Sequence, residues 1–243
     1  MVYKVLDLNE DITIVLIETY KNGKGEIRFN SPSLTSLFMS ASDKALSSAK
    51  EIYKLLIKPK QSIRERLVFT EIETGQLYDY LEHIQTAIIT LYTAIESLAN
   101  VLIPDDYVFI EEKNKETIVW NKEKIERSKS TQEKIKKIIP DALRILSPST
   151  LRCWTRFTDF EKLRNEIVHI KTSSLTNKEA DKKIISKLIN DTVFNKINAG
   201  RELIKELAEL IPHHYEYPIL RNTETLIPIE VKTWSDTGFE KSD

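Results

Sequence analysis

The longest regular pattern in the chain is a stripe in which Leu77, Leu81, Ile84, Ile88, Leu91, Ile95, Leu98 and Leu102 alternate steps of four and three without a break. Side chains at that spacing fall on one face of an α-helix, and Pro104 supplies its stop. The stripe predicts a long core or dimer helix. A second stripe, Phe157, Phe160, Leu163, Ile167 and Ile170, predicts a helix over residues 154–171, with Ser147-Pro148 as its cap and first-turn proline. At about 100° per residue, Glu161, Asn165 and His169 stack on the polar side of that helix beside Thr158 and Trp154, while Arg164 sits at the edge of the apolar stripe. Residues 131–139 and 141–146 read as short helices separated by Pro140, and the polar, charged stretch 105–118 reads as loop. Thr176-Asn177-Lys178-Glu179 looks like a capping box opening one last long helix through Ile184, Leu188, Val193, Ile197, Ile204, Leu207 and Ile211, bent at Gly200 and ended by Pro212.

Residues 1–75 follow a different pattern. Residues 12–18 are rich in β-branched side chains, Asn22-Gly23-Lys24-Gly25 is a strong turn signal, and residues 26–29 can return as a second strand, so a hairpin is expected. Helical spacing in Ala45, Ala49, Ile52, Tyr53 and Leu56 predicts a helix over 41–57 that Pro59 ends, and 66–73 alternates as a further short strand. The division expected is a small α+β extension at 1–75, a helical domain at 76–211, and an irregular tail at 212–243 with one strand at 226–232. The fold class is mainly α.

Composition narrows the function classes. The 243 residues can bury a sizeable core, and Cys153 is the single cysteine, which excludes an intramolecular disulfide framework and a cysteine-rich zinc site. No stretch approaches 18 uncharged apolar residues and the first residues lack a leader pattern, so the expectation is a cytoplasmic protein with no membrane association. A formal net charge of −1 gives no global attraction to nucleic acid, and RNA binding would be local. The best local candidate is 122–137, where Lys122, Lys124, Arg127, Lys129, Lys134, Lys136 and Lys137 outnumber Glu123, Glu126 and Glu133; a solvated helical surface accounts for the same excess. No Gly-rich phosphate loop or nucleophile elbow occurs, which disfavours nucleotide hydrolases of those types. His213-His214 lacks further ligands for a metal, and Trp120, Trp154 and Trp234 read as packing anchors, although Trp154 shares the face of Asn165 and can stack a base.

Four segments carry a family resemblance. They are 92–100 with its embedded Glu96, the connecting segment 133–140, Phe160-Glu161-Lys162-Leu163, and Arg164-Asn165 followed by His169 in an Arg-x4-His arrangement. Together they resemble the HEPN superfamily over about residues 76–211. That resemblance implies a helical bundle, a homodimer and, in catalytic members, a metal-independent endoribonuclease of toxin, abortive-infection or antiviral defence systems, with an antitoxin or defence-system partner protein. Other members are non-catalytic dimerisation or effector-binding modules, and that alternative stays open.

The residue chemistry suits RNA cleavage. RNA carries its own nucleophile, the 2′-hydroxyl, so the reaction needs proton transfer and charge neutralisation at phosphorus and no obligatory metal or cofactor. Histidine is suited to the proton transfer at neutral pH, which makes His169 the acid/base candidate. A guanidinium matches two phosphate oxygens, which makes Arg164 the phosphate-holding candidate. Asn165 can orient the imidazole or bind the phosphate. Glu161 and Glu96 are supporting candidates, Glu96 by pairing with Arg164 across the bundle. Lys134, Lys136, Lys137 and Trp154 are the RNA-binding candidates. On a straight helix Arg164 and His169 lie roughly 140° apart, which asks for a second copy of the helix across a two-fold axis.

Overall fold

The computed structural model describes residues 2–4, 11–13, 17–30, 33–61, 68–113, 116–169 and 177–210. They are mainly helical, with three separate two-stranded antiparallel sheets. The expected strand at 226–232, His213-His214, Trp234 and the ends of the 66–73 and 154–171 segments lie outside them.

Strands β1 (Val2–Lys4) and β2 (Asp11–Thr13) pair with each other, and β3 (Ile17–Asn22) pairs with β4 (Gly25–Asn30) in the expected hairpin. Its first strand begins at Ile17, later than the β-branched run at 12–18 suggested, with Ile12 and Thr13 in β2, and the turn fixes the register: Asn22 faces Gly25 and Gly23 takes φ +61°, the first central position of a two-residue turn.

α1 (Leu34–Ile52) passes into a π-helical turn at Tyr53–Ile57 and then α2 (Lys58–Gln61). Pro59 therefore does not end the helical run. The Lys58 N–H bonds back to the Tyr53 carbonyl, five residues away, and the widened turn relieves the ring clash that an α-helical turn would impose. Pro140 is handled the same way. α5 (Thr131–Glu133) leads into a π turn at Lys134–Ile138 and then α6 (Ile139–Leu143), and the Lys136 carbonyl, four residues before the proline, accepts from Ser147 Oγ at 2.7 Å. Ser147 caps a 3₁₀ turn (Pro148–Thr150) and not the motif helix.

α3 (Glu71–Val101) is the central element. It begins where 66–73 was expected to form a strand, because Thr70 and Glu73 close a capping box: the Thr70 N–H donates to the Glu73 carboxylate at 2.8 Å and the Glu73 N–H to Thr70 Oγ1 at 3.3 Å. The change of composition near Gly75 thus falls inside a helix. The predicted stripe is the core seam, with Ile84, Ile88, Leu91, Ile95, Leu98 and Leu102 buried. α1 lies along α3, joined by Ser42 Oγ donating to the Ala87 carbonyl at 2.9 Å and by Thr35 with Ser97 at 3.1 Å.

Much of the stretch 105–118, expected as loop, is strand. β5 (Val108–Lys113) pairs with β6 (Glu116–Asn121) and turns Phe109 and Trp120, opposite each other in register, toward the core. α4 (Lys122–Ser128) follows directly, capped by Asn121. α7 (Trp154–Val168) packs against α3 and α9 (Thr192–Leu210). The last long helix is in fact two, α8 (Asn177–Leu188) and α9, and the break falls at the five-residue step from Leu188 to Val193. There Asn190 Oδ1 accepts from the Thr192 N–H at 3.0 Å, while Tyr80 donates to the last carbonyl of α8, that of Leu188, at 2.6 Å. α9 runs through Gly200 without a break. The glycine lets α9 approach α7 and α3, since a Cβ there would meet Phe160 and Leu91 at 3.0 Å.

Candidate functional site

α7 presents its buried face, Phe157, Phe160 and Leu163, to α3 and α9, and its last turn carries Arg164, Asn165 and His169. Glu161 departs from the expected polar face. It is 8% exposed, because the side of α7 that carries it is covered by Tyr92 of α3 and Gln132 of α5. The Tyr92 hydroxyl donates to Glu161 Oε1 at 2.5 Å, and Gln132 Nε2 donates to Oε2. Burial and the bond to the carboxylate push the Tyr92 phenol well above its ordinary value, so it remains a neutral donor. The carboxylate has both oxygens engaged.

Arg164 lies on top of this pair. Its Cζ is 4.4 Å from the Tyr92 ring centroid, a cation–π contact, and its Nη1 donates to Asn165 Oδ1 at 3.0 Å. Among the described residues no carboxylate lies within ion-pair distance of Arg164. Its Nε is shielded from solvent without an acceptor. The guanidinium is held by an aromatic face and an amide, with no carboxylate partner among the described residues.

His169 is exposed and is the residue after the last helical one, with φ −120° and ψ 73°; its N–H closes the helix on the Asn165 carbonyl at 2.9 Å. The 140° separation assumed an imidazole still on the helix. Since His169 has left the helical path, that angle does not describe the pair. Glu166, on the same turn, pairs with Lys187 of α8 and ties the end of α7 to that helix.

The remaining candidates divide. Glu96 is half-buried on α3; its charge acts on Lys134, and among the described residues no ion pair joins it to Arg164. Lys134 is 1% exposed, with its ammonium donating to Asn100 Oδ1 at 2.8 Å and to the Glu126 carbonyl at 2.9 Å. A lysine so enclosed, its pKa lowered by burial, is a core residue out of reach of RNA. Lys136 and Lys137 are exposed on the π turn, and Trp154 is half-buried with its ring 5.5 Å from that of Phe157. The basic run also contains Lys129, whose side chain is 7% exposed and bonds to Glu111 at 2.8 Å and Glu133 at 2.9 Å, with Trp120 4.2 Å below it.

Tyr92 and Gln132 are the members of this cluster that sequence reasoning did not assign a role. The signal for Tyr92 was present: a phenol inside an apolar stripe must find a partner for its hydroxyl. A cleft of about 530 Å³ lined by Tyr53, Lys54, Lys58, Gln61, Asp191 and Phe194 includes none of these residues. Among the described residues no three His, Cys, Asp or Glu side chains gather as a metal-holding group, and no helix is long and apolar enough to cross a membrane. No protein-family model, curated protein or solved structure matches this chain.

Proposed function

We propose that residues 76–211 form a HEPN-type helical domain and that the protein is a metal-independent endoribonuclease, acting as a homodimer in a toxin-like or antiviral role. The observation that supports this reading is the end of α7, where Arg164 is seated, bonded to Asn165 and without a carboxylate partner among the described residues, and where exposed His169 follows the last helical residue. In the reaction the RNA 2′-hydroxyl attacks the adjacent phosphorus and the 5′-oxygen leaves, giving a 2′,3′-cyclic phosphate and a free 5′-hydroxyl. Arg164 neutralises the added charge on the phosphoryl oxygens. His169, in solvent, moves the proton. Asn165 fixes the rotation of the guanidinium through Nη1. Exposed Lys136 and Lys137 contact the RNA backbone.

Incubation of the full chain with single-stranded RNA in EDTA tests this. The expected result is cleavage with cyclic-phosphate ends, loss of cleavage in His169→Ala, and an intact DNA control. Activity that disappears with chelator and returns with magnesium overturns the mechanism. One observation favours a second reading, a non-catalytic dimerisation or effector-binding module: the Arg164 guanidinium is covered on one face by Tyr92, as a structural arginine is. Under that reading the parent leaves RNA intact and Arg164→Ala lowers the melting temperature.

A further inference from the structure

Three helices converge on one guanidinium. α3 supplies the ring of Tyr92 beneath Arg164 Cζ, α7 supplies Asn165 at Nη1, and α5 supplies Gln132 beneath them through Glu161. Each contact removes a different freedom. The ring holds the guanidinium carbon 4.4 Å from its centroid, and the bond from Nη1 to the amide restrains its rotation. The bond of 2.5 Å from the Tyr92 hydroxyl to Glu161, between residues 69 positions apart, fixes the ring, and Gln132 fixes the carboxylate. Recognition of a phosphate by two parallel N–H bonds depends on both plane and rotation, and an arginine on its long free stem has neither.

We propose that Tyr92 is the positioning residue for Arg164, and that Glu161 acts through Tyr92 and not as an acid or base. The proposal rests on the ribonuclease reading of Arg164 for its kinetic consequence, while the seat itself can be observed without turnover. Glu161 fits this role because both its oxygens are occupied and the group is buried, bonded to the hydroxyl of the ring, whereas His169 is exposed.

The test uses the full chain labelled with ¹⁵N-arginine, its Tyr92→Leu and Tyr92→Phe variants, and an RNA oligonucleotide. Melting curves establish that each variant is folded. Tyr92→Leu removes the seat and is expected to lower kcat about tenfold or more with KM within about twofold, since misplacing a charge-stabilising group weakens the transition state more than binding. Tyr92→Phe keeps the ring and frees it from Glu161, with an expected loss of about threefold. The Arg164 Hε resonance, assigned by its disappearance in Arg164→Lys, is expected upfield in the parent and in Tyr92→Phe, and at an ordinary arginine position in Tyr92→Leu. A folded Tyr92→Leu with parental kcat, or with an unmoved Hε resonance, overturns the proposal. If Tyr92→Leu does not fold, Tyr92→Phe decides, and a parental kcat there overturns the role of Glu161. A parent that cuts no RNA but carries the upfield resonance defeats the ribonuclease reading and leaves the seat standing.

Discussion

Among the described residues three cations sit on aromatic rings, Lys60, Lys129 and Arg164, and the last two are finished differently. Lys129 lies 4.2 Å from the centroid of Trp120 and 5.5 Å from that of Phe109, and carboxylates of Glu111 and Glu133 meet it at 2.8 and 2.9 Å. Arg164 lies 4.4 Å from the centroid of Tyr92 and meets an amide, and one of its nitrogens is buried without an acceptor. The first arrangement is electrically closed. It fastens the β5–β6 hairpin to the turn between α4 and α5, and nothing of the lysine is left over for a ligand. The second is mechanically fixed and electrically open, the condition expected of a cation whose partner arrives from outside. The ring is shared, so the difference lies in the carboxylates.

The largest expected effect tests the open cation. Under the proposed ribonuclease reading, Arg164→Ala is expected to lower the RNA cleavage rate by about a hundredfold or more, the size associated with removing one charge-stabilising donor. Arg164→Lys keeps a charge above the ring and loses the planar fork, and is expected to lose most of that rate as well. Recovery of parental cleavage in Arg164→Lys would show that point charge alone suffices, and would remove the argument from plane and rotation.

A smaller effect tests the closed one. Lys129→Met leaves Glu111 and Glu133 facing each other, but their side chains are 28% and 26% exposed and keep some water. The expected loss is about 2 kcal/mol, below the roughly 3–5 kcal/mol of breaking a fully buried pair. That corresponds to a melting temperature lower by about 5 °C for a chain of this size, with RNA cleavage unchanged at temperatures where the variant is folded. Cleavage lost in parallel with Arg164→Ala would mean that the hairpin belongs to the site.

How far each cluster could be read from the sequence follows from the range of its contacts. The stripe from Leu77 to Leu102 is local periodicity, and it appears as the core seam of α3. The turn at Asn22-Gly23-Lys24-Gly25 is equally local, and its glycine takes the positive φ. The β5–β6 hairpin was hidden because Glu111, Glu112, Lys113 and Glu116 interrupt its alternation, and its anchors reach beyond the strands to Lys129. Pro59 and Pro140 read as stops because an α-helix excludes them, and the π turns before them are not visible in residue type. Arg164, Asn165 and His169 were legible as a spacing. The seat under Arg164 was not: Glu161 has the spacing of the polar face, and only the approach of Tyr92 and Gln132 from other helices turns that side of α7 inward.

The smallest effect is a titration. Burial draws the Lys129 pKa down, but the bonds to Glu111 and Glu133 together outweigh it, and the folded value lies above that of an ordinary lysine. A group whose folded pKa is raised contributes stability that is fully present below the unfolded value and is lost as pH rises through the folded one. Docking of the β5–β6 hairpin should therefore be flat across neutral pH and weaken only above the ordinary lysine range. The Trp120 indole N–H, which donates to Glu111 at 3.2 Å, reports it by NMR. Lys129→Arg carries a charge that does not titrate in this range, so its hairpin signal should lack the alkaline step. An alkaline step that persists in Lys129→Arg would move the cause to another group and break the contrast between the closed cation and the open one.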